Sequence, residues 1–409
     1  MSYGRTVSTV ERYYISCDEP GKPSPCVNQI VIIGKGSVDM DTLRCAVTLA
    51  SVANPGSCLK LTGHLGLSRW CVAEHGPRFR FVVSDWDGTS SEGADFLNEP
   101  LDIRSGITSE VILVTMKNDK YAIVVKSHHG TMDGRGTQHF AQEIFRVLNG
   151  QALLGENNDI NDVQLARKIS AAKKASDVGP EIPPVTQKLE IDSDEIPSRW
   201  LRKTILGKHK HLLAKIALSI AGYGFNNGCE TVRIQLPVDM RSHIPGIQST
   251  ANLTGGIVID VFRHMSELQW NSEIKRQVEE KKEAETPRFF KVLPFHLLSW
   301  VPLKLMKKSN DKLVAKRRKT NLYRTSGIIS NLGRIRLANF SGAGFIPESI
   351  FFIPPEFDTT ALFVTLTGHE NGIELLMRTP SNLDAGQLET LCEHVVSSLN
   401  KSSDQLLVG

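Results

Sequence analysis

The order of apolar and polar positions predicts alternating strands and helices in the first part of the chain. Residues 28–34 (NQIVIIG) form a β-branched run that is typical of a strand. A helix is predicted from Asp39 or Asp41, because the apolar residues that follow recur at helical spacing. The helix should end at 54–56 (NPG), where proline forbids its continuation.

Two hairpins are predicted next. Segments 69–74 and 78–84 alternate in the manner of paired strands, and we expect them to form the first hairpin. Segments 110–116 and 121–127 are predicted to form the second, joined by an Asn-Asp turn. A helix should then run from about Gly136, and a glycine stands where its C-terminal cap would be.

The sequence changes character between residue 150 and about residue 197, where it is polar, charged and interrupted by prolines. We interpret this stretch as a surface crossover between two domains. The predicted domains are an N-terminal lobe, residues 1–180, and a C-terminal lobe, residues 181–409, and a length of 409 residues fits two domains.

The second half also mixes both kinds of element, so the predicted fold class is α/β. Its basic segment 199–211 is interpreted as the exposed side of an amphipathic helix that continues to residue 227. Asn371-Gly372 is the predicted turn of a hairpin. The remaining predictions are strands at 230–241, 254–261 and 326–333, a charged helix at 267–284, the hairpin itself at 361–378 and a last helix at 383–399.

Composition narrows the classes of function. Hydrophobic residues make up 40% and charged residues 22% of the chain, and the net charge of +4 is too small for a nucleic-acid-binding footprint. Seven scattered cysteines without CxxC spacing favour a reduced, cytoplasmic location, and no secretory signal is recognisable. The apolar stretch 292–306 contains two prolines and is too short to span a bilayer. We expect it to pack in the core, with membrane contact as the disfavoured alternative.

Candidate chemistry is concentrated at residues 121–140, YAIVVKSHHGTMDGRGTQHF. His128 and His129 end a predicted strand, so their side chains should point to opposite faces of the sheet. Two such histidines cannot easily share a metal ion, and no cysteine lies nearby at ligand spacing. A neutral imidazole can act as a general base near pH 7. From these residues alone, a polar strand end without catalysis stays open as the alternative.

The segment HHGTMDG resembles HHxxxDG, the motif of the chloramphenicol-acetyltransferase-like superfamily, which includes peptide-synthetase condensation domains and many acyltransferases. Segments 236–246 (LPVDMRSHIPG), 250–257 (TANLTGGI) and 330–333 (SNLG) resemble further elements of the same superfamily. The resemblance therefore spans nearly the whole chain. It implies two similar lobes, each an α+β two-layer sandwich, with a tunnel between them.

The resemblance also implies roles for the motif residues. His129 would be the general base, with His128 in support. Asp133 would face away from the substrate and pair with Arg241, holding the loop. Gly134 would provide room where the backbone turns sharply.

Candidates for the oxyanion and substrate contacts are the Gly134 N–H, Ser330, Asn331 and Asn252. Arg317, Arg318 and Lys319 belong to a basic run that could bind the phosphate of the donor, although such runs are usually a solvated face.

The implied function is an acyltransferase that moves an acyl group from a thioester to a small-molecule hydroxyl or amine, without a metal or bound cofactor. Acyl-CoA or a phosphopantetheinyl carrier protein would supply the thioester in trans, because no LGGxS carrier motif is found. The plant DFGWG motif is also missing, and we favour secondary metabolism or lipid modification and a monomeric state. The alternatives are an amide-forming condensation enzyme and a non-catalytic module that binds a carrier.

Overall fold

The computed structural model describes residues 3–19, 26–169, 179–186, 198–207, 209–283, 299–380 and 385–404. Within them, fourteen strands form three sheets, and eight helices cover the sheets. The strands are β1 Gly4–Thr6, β2 Val27–Gly36, β3 Leu59–Thr62, β4 Arg69–Val72, β5 Arg78–Val83, β6 Ser109–Thr115, β7 Lys120–His128, β8 Arg199–Ile205, β9 Val232–Asp239, β10 Thr254–Val261, β11 Gly327–Arg334, β12 Phe345–Ile353, β13 Phe363–His369 and β14 Gly372–Thr379. The helices are α1 Thr9–Cys17, α2 Met40–Ala53, α3 Gly134–Leu148, α4 Asp162–Ile169, α5 Leu212–Asn226, α6 Glu267–Glu283, α7 Leu303–Thr320 and α8 Ala385–Asp404.

A five-stranded sheet, in the order β12-β2-β7-β6-β5, carries the HHGTMDG segment at the end of β7. One face buries apolar residues of β2, β6 and β7 against α2 and α3. The other face packs on the six-stranded sheet through a core that includes Trp86, Trp200 and Phe351. The mixed α/β architecture predicted from the sequence is therefore confirmed.

The six-stranded sheet has the order β10-β9-β11-β13-β14-β8. Its helix-covered face buries residues of α5 and α8, together with Trp270 of α6. Although β12 comes from the second half of the chain, it pairs antiparallel with β2 of the five-stranded sheet. The pairing of β12 with β2 connects the two halves of the chain. The domain boundary at residue 180 stays a prediction.

The first predicted hairpin is wrong. Strand β4 pairs with β1 and β3 in a separate three-stranded sheet, whereas β5 runs parallel to β6. Side-chain alternation identifies a strand but does not choose its partner. In the observed pairing, Arg78 and Arg80 both bind Glu110 on β6 at 2.5 Å, a contact that the local pattern does not reveal.

The second hairpin is confirmed. Strands β6 and β7 pair antiparallel, and Asn118 and Asp119 occupy the left-handed region at φ 59° and 54°. The cap predicted after α3 is confirmed as well, since Gly150 has φ 63°. The turn between β13 and β14 is displaced by one residue from the prediction, because His369 pairs with Gly372 and leaves Glu370 and Asn371 as the turn.

The interpretation of residues 199–211 as a helix is wrong. Residues 199–205 form β8, which pairs antiparallel with β14, and the helix begins only at Leu212. Strand geometry lets Trp200 reach Trp86 and Phe351 in the core between the sheets.

The expectation of core packing for residues 292–306 holds only in part. Residues 292–298 lie outside the described residues, and of the remainder Leu303 packs beside Trp70 while Trp300 is 53% exposed and Leu305 57% exposed. Among the described residues, no helix is long and apolar enough to cross a membrane.

Candidate active site

The HHGTMDG segment forms a tight connection between β7 and α3. After His128, the backbone turns at once, and the N–H groups of Thr131 and Met132 both donate to the His128 carbonyl, at 2.9 and 3.1 Å. Asp133 then caps α3, with its Oδ1 accepting from the Gly136 N–H at 2.7 Å. Because the strand and the helix are both anchored in the core, the segment is held in place at the C-terminal end of the central strand.

The two histidines have different surroundings, as the strand geometry predicts. His128 is fully buried, and its Nδ1 accepts the Gly130 N–H at 3.1 Å, so the ring proton of the neutral form lies on Nε2. That Nε2 lies 2.9 Å from Oδ2 of Asp18, the residue that ends α1. The structure thus places His128 in a buried contact with Asp18, where it supports the segment.

His129 is half-buried and is oriented by amide groups. Its Nδ1 lies 3.2 Å from the Met132 carbonyl oxygen and 3.1 Å from Nδ2 of Asn28. Asn252 donates to the His129 carbonyl at 2.9 Å. Burial is the main cause that lowers the pKa of His129 to about 4, so the ring is neutral at pH 7. When Nδ1 donates to Met132, the lone pair resides on Nε2.

Two aromatic rings that the sequence reasoning missed cover His129. Tyr14 of α1 stacks on the imidazole with a centroid distance of 4.4 Å and an angle of 26°. Phe357 lies 6.2 Å from the imidazole and 5.8 Å from the Tyr14 ring. The sequence held no signal for either contact, since both residues lie far from the motif along the chain.

Asp133 and Arg241 form a two-pronged ion pair. Nη1 and Nη2 of Arg241 each donate to one carboxylate oxygen of Asp133 at 3.0 Å. Leu253 N–H and Thr254 Oγ1 donate to the same carboxylate at 2.8 Å. Burial alone would raise the pKa of Asp133, but the Arg241 charge and these hydrogen bonds hold it below its usual value. The carboxylate therefore stays ionised and ties the motif to the second half of the chain.

The glycine requirement differs from the one expected. Gly134 lies in the first turn of α3, and a Cβ there would meet Phe352 at 3.3 Å. A Cβ at Gly136 would lie only 1.8 Å from the Thr250 carbonyl oxygen. The prediction that Gly134 marks a sharp backbone turn is therefore wrong, and Gly136 is the position where a close backbone approach excludes a side chain.

Of the oxyanion and substrate candidates, the structure brings Asn252 against His129. Ser330 and Asn331 lie on β11, where Ser330 pairs with Thr365 and Asn331 is exposed, with its Oδ1 accepting from the Gly333 N–H at 2.8 Å. The described side-chain hydrogen bonds of these two residues do not reach His129.

The three basic candidates in α7 are separated by the helix. Arg317 is buried, contacts the Tyr323 ring face at 5.7 Å and donates to the Thr359 carbonyl. Arg318 lines a cavity, and Lys319 is exposed. The inward direction of Arg317 shows that the run is not a single solvated face.

That cavity has a volume of about 640 Å³ and lies between elements of both halves. Its walls come from α1, β2, β7, β8, α7, the loop at 91–99 and the loop at 356–359. Phe357 belongs to both the cavity wall and the aromatic cover of His129. Within the described residues, no cluster of three or more potential metal ligands is found.

Comparisons with known proteins show which class of fold this is. No protein-family model matches the chain, and no curated protein sequence matches it either. Solved structures match over nearly the full length, and they show that the chain has the fold of condensation domains.

Three of these structures illustrate the likeness. The first condensation domain of the CDA synthetase has a TM-score of 0.67 at 13% identity, covering 98% of this chain and 95% of the other. The condensation domain of the Monacolin K polyketide synthase has a TM-score of 0.61 at 12% identity, with 97% and 96% covered. The starter condensation domain of rhizomide synthetase, in complex with C8-CoA and Leu-SNAC, has a TM-score of 0.61 at 10% identity, with 97% and 93% covered. At identities this low, the structural similarity establishes the fold and leaves the reaction open.

Proposed function

We propose that the protein is an acyltransferase that moves an acyl group from a thioester to a hydroxyl or amine, with His129 as the general base. The observation that carries this proposal is the state of His129. Its ring is neutral and half-buried, is oriented through Nδ1, and lies beside a cavity wall at Phe357. A base at this position can take a proton from the acceptor only after the acceptor has entered the site.

The proposed chemistry uses one proton and one acyl group. Nε2 of His129 takes the proton from the acceptor as the acceptor oxygen or nitrogen attacks the thioester carbonyl. The tetrahedral intermediate then expels the thiolate, which receives the proton from the imidazolium. General-base help of this kind accelerates a reaction by about 10²–10⁴-fold. Asp133 takes no part in proton transfer, because its oxygens are bound to Arg241 and three neutral donors.

The cavity supports a small-molecule acceptor and a donor brought in from solution. We propose that it is part of a tunnel through which the substrates approach His129. Acyl-CoA as the donor is supported by the similar starter condensation domain, whose structure holds C8-CoA. A carrier-protein thioester and a nonribosomal-peptide type of amide formation would use the same base and stay within the proposal.

A non-catalytic, carrier-binding module is the second candidate. The stacking of Tyr14 on His129 is compatible with both candidates, because the ring 4.4 Å away covers the imidazole face, whereas proton abstraction uses the Nε2 lone pair in the ring plane.

The test is acyl transfer by the purified protein with a panel of acyl-CoA donors and hydroxyl or amine acceptors. Free CoA and the acyl product are separated by chromatography, since the seven cysteines would react with a thiol reagent. His129→Ala should lower turnover by about 10²–10⁴-fold. His75→Ala, which removes an exposed histidine, is the matched control and should behave like the wild type.

Wild-type turnover by the His129→Ala variant would refute the role of that residue. If the wild-type protein transfers no acyl group from any donor but binds an acidic acyl carrier protein tightly, the binding module is favoured instead.

A further inference from the structure

The floor of the cavity carries two polar side chains that the proposed mechanism does not use. Lys126 of β7 and Gln29 of β2 are directly paired in the antiparallel register, so their side chains share one face of the sheet. Both residues line the cavity, and they are only 1% and 6% exposed. Burial of a lysine and an amide at the bottom of a cavity is costly unless they bind something there.

The charges around Lys126 do not balance. Arg78 and Arg80 each place Nε 2.5 Å from Oε1 of Glu110, and Lys126 Nζ lies 3.3 Å from Oε2 of the same residue. Three cations thus share one carboxylate, which leaves a surplus of positive charge in this group of four side chains. Burial, together with the charges of Arg78 and Arg80, lowers the pKa of Lys126 to about 8 despite Glu110. An added negative charge would relieve this imbalance.

Other acidic side chains of the cavity wall pair with basic residues of the same wall, and Glu19 and Asp311 both bind Lys307. Glu356 binds Arg378 at 2.5 Å, and Asp358 binds Arg318 at 3.4 Å. Glu99 accepts from Lys126 Nζ through its backbone carbonyl at 2.6 Å, while its side chain is exposed. The Lys126 ammonium therefore has one neutral acceptor, the Glu99 carbonyl, and lies near the Glu110 carboxylate, which also binds Arg78 and Arg80.

Gln29 is the second, independent observation. Its side-chain oxygen is buried and has no hydrogen-bond partner among the residues described. Rotation of the terminal amide exchanges this oxygen with the NH₂ group, so the position can present either an acceptor or a donor. A buried amide oxygen without a partner, in a residue that lines a cavity, indicates a ligand group that completes its hydrogen bonds after this rotation.

We propose that Lys126 and Gln29 bind a carboxylate group of the substrate at the floor of this cavity. The carboxylate receives one N–H of the Lys126 ammonium and one N–H of the rotated Gln29 amide.

This inference rests on the proposed function in calling the bound molecule a substrate. Its binding test does not require turnover. A carboxylate could come from the acyl chain or from the acceptor. Succinyl-CoA and butyryl-CoA form one probe pair, with equal chain length and a charge difference. Phenyllactate and phenyllactamide form the other pair, which represents an acceptor.

Binding is measured by titration calorimetry on the wild type and on Lys126→Met, which keeps an unbranched side chain one atom shorter and removes its charge. The wild type should bind the carboxylate member of one pair at least about tenfold more tightly, because the hydrogen bond is charge-assisted. Lys126→Met should abolish that preference. Lys120→Met removes a lysine of the same strand that binds Glu348 outside the cavity, and it should keep the preference.

Gln29→Leu is the second variant, for the case in which Lys126→Met does not fold, and it should reduce the preference severalfold. The wild type showing no preference in either pair would overturn the proposal, as would an unchanged preference in Lys126→Met or Gln29→Leu. The same titrations on His129→Ala separate the two proposals. A carboxylate preference without any acyl transfer would defeat only the proposed function, whereas transfer without a preference would defeat only this inference.

Discussion

Replacing Arg241 by methionine tests whether the ion pair with Asp133 holds the two halves of the chain together at the HHGTMDG segment. The Asp133 side chain is 2% exposed, so the variant leaves a carboxylate buried without its counter-charge. Loss of one member of a buried pair costs about 3–5 kcal/mol. The three remaining donors to Asp133 reduce that cost, while the carbonyls of Ser249 and Ala251 lose their Arg241 donor. We therefore expect a loss of about 3 kcal/mol in the free energy of unfolding.

The measurement is urea denaturation followed by fluorescence and circular dichroism. Asp133→Asn and the double variant complete a mutant cycle, which should give a coupling energy of about 2 kcal/mol between the two residues. Arg276→Met is the control, because Arg276 is 54% exposed and its contact with Glu273 should contribute less than about 1 kcal/mol.

The pH dependence gives a second check on the same variant. The pKa of Asp133 is lowered in the folded protein, so its contribution to stability is present above the unfolded value and is lost as pH falls through the folded one. In Arg241→Met the buried Asp133 loses its counter-charge, so burial should raise its pKa, and the variant should regain stability by protonating it; the difference from the wild type should therefore narrow as the pH is lowered from 7 towards 4. A difference below about 1 kcal/mol at pH 7, or strictly additive single variants, would refute the reasoning.

Two further predictions concern the glycines of α3 and the protonation of His129. Gly136→Ala should destabilise the protein by about 1–3 kcal/mol, since the new Cβ would lie 1.8 Å from the Thr250 carbonyl oxygen, whereas Gly134→Ala should be close to neutral. Equal melting temperatures of the two variants would contradict this ranking. Because the base must be neutral and the pKa of His129 is about 4, kcat/KM should stay constant from pH 8 to about 5 and fall only near pH 4. A fall centred near pH 6.5 would show that burial does not perturb the histidine.

Local sequence patterns were sufficient for much of the site. The hairpin β6–β7 and the capped helix after it follow from side-chain periodicity and turn residues, which also predict the different surroundings of His128 and His129. These features depend on neighbours along the chain, and such neighbours are visible in a sequence. The pair of Asp133 with Arg241 came from the resemblance to HHxxxDG proteins, and periodicity could not have located it.

The errors share a physical cause. The pattern of residues 69–84 identified two strands, but β5 lies beside β6, where Arg78 and Arg80 meet Glu110, and β4 belongs to a different sheet. Residues 199–205 were predicted to be helical, but they form a strand in which Trp200 is buried between two sheets. In both cases, the energy that decides the outcome comes from residues distant in sequence.

By itself, the sequence determined the mixed α/β class, the order of most elements and the position of the histidine pair at the end of β7. Only the tertiary structure decided that β12 joins the five-stranded sheet, that Tyr14 and Phe357 cover His129, and that Lys126 and Gln29 pair across strands and line one cavity. Backbone preferences and side-chain periodicity act between near neighbours, so a linear pattern records them. Packing and charge pairing act between surfaces that meet only after folding, and no short segment contains both partners.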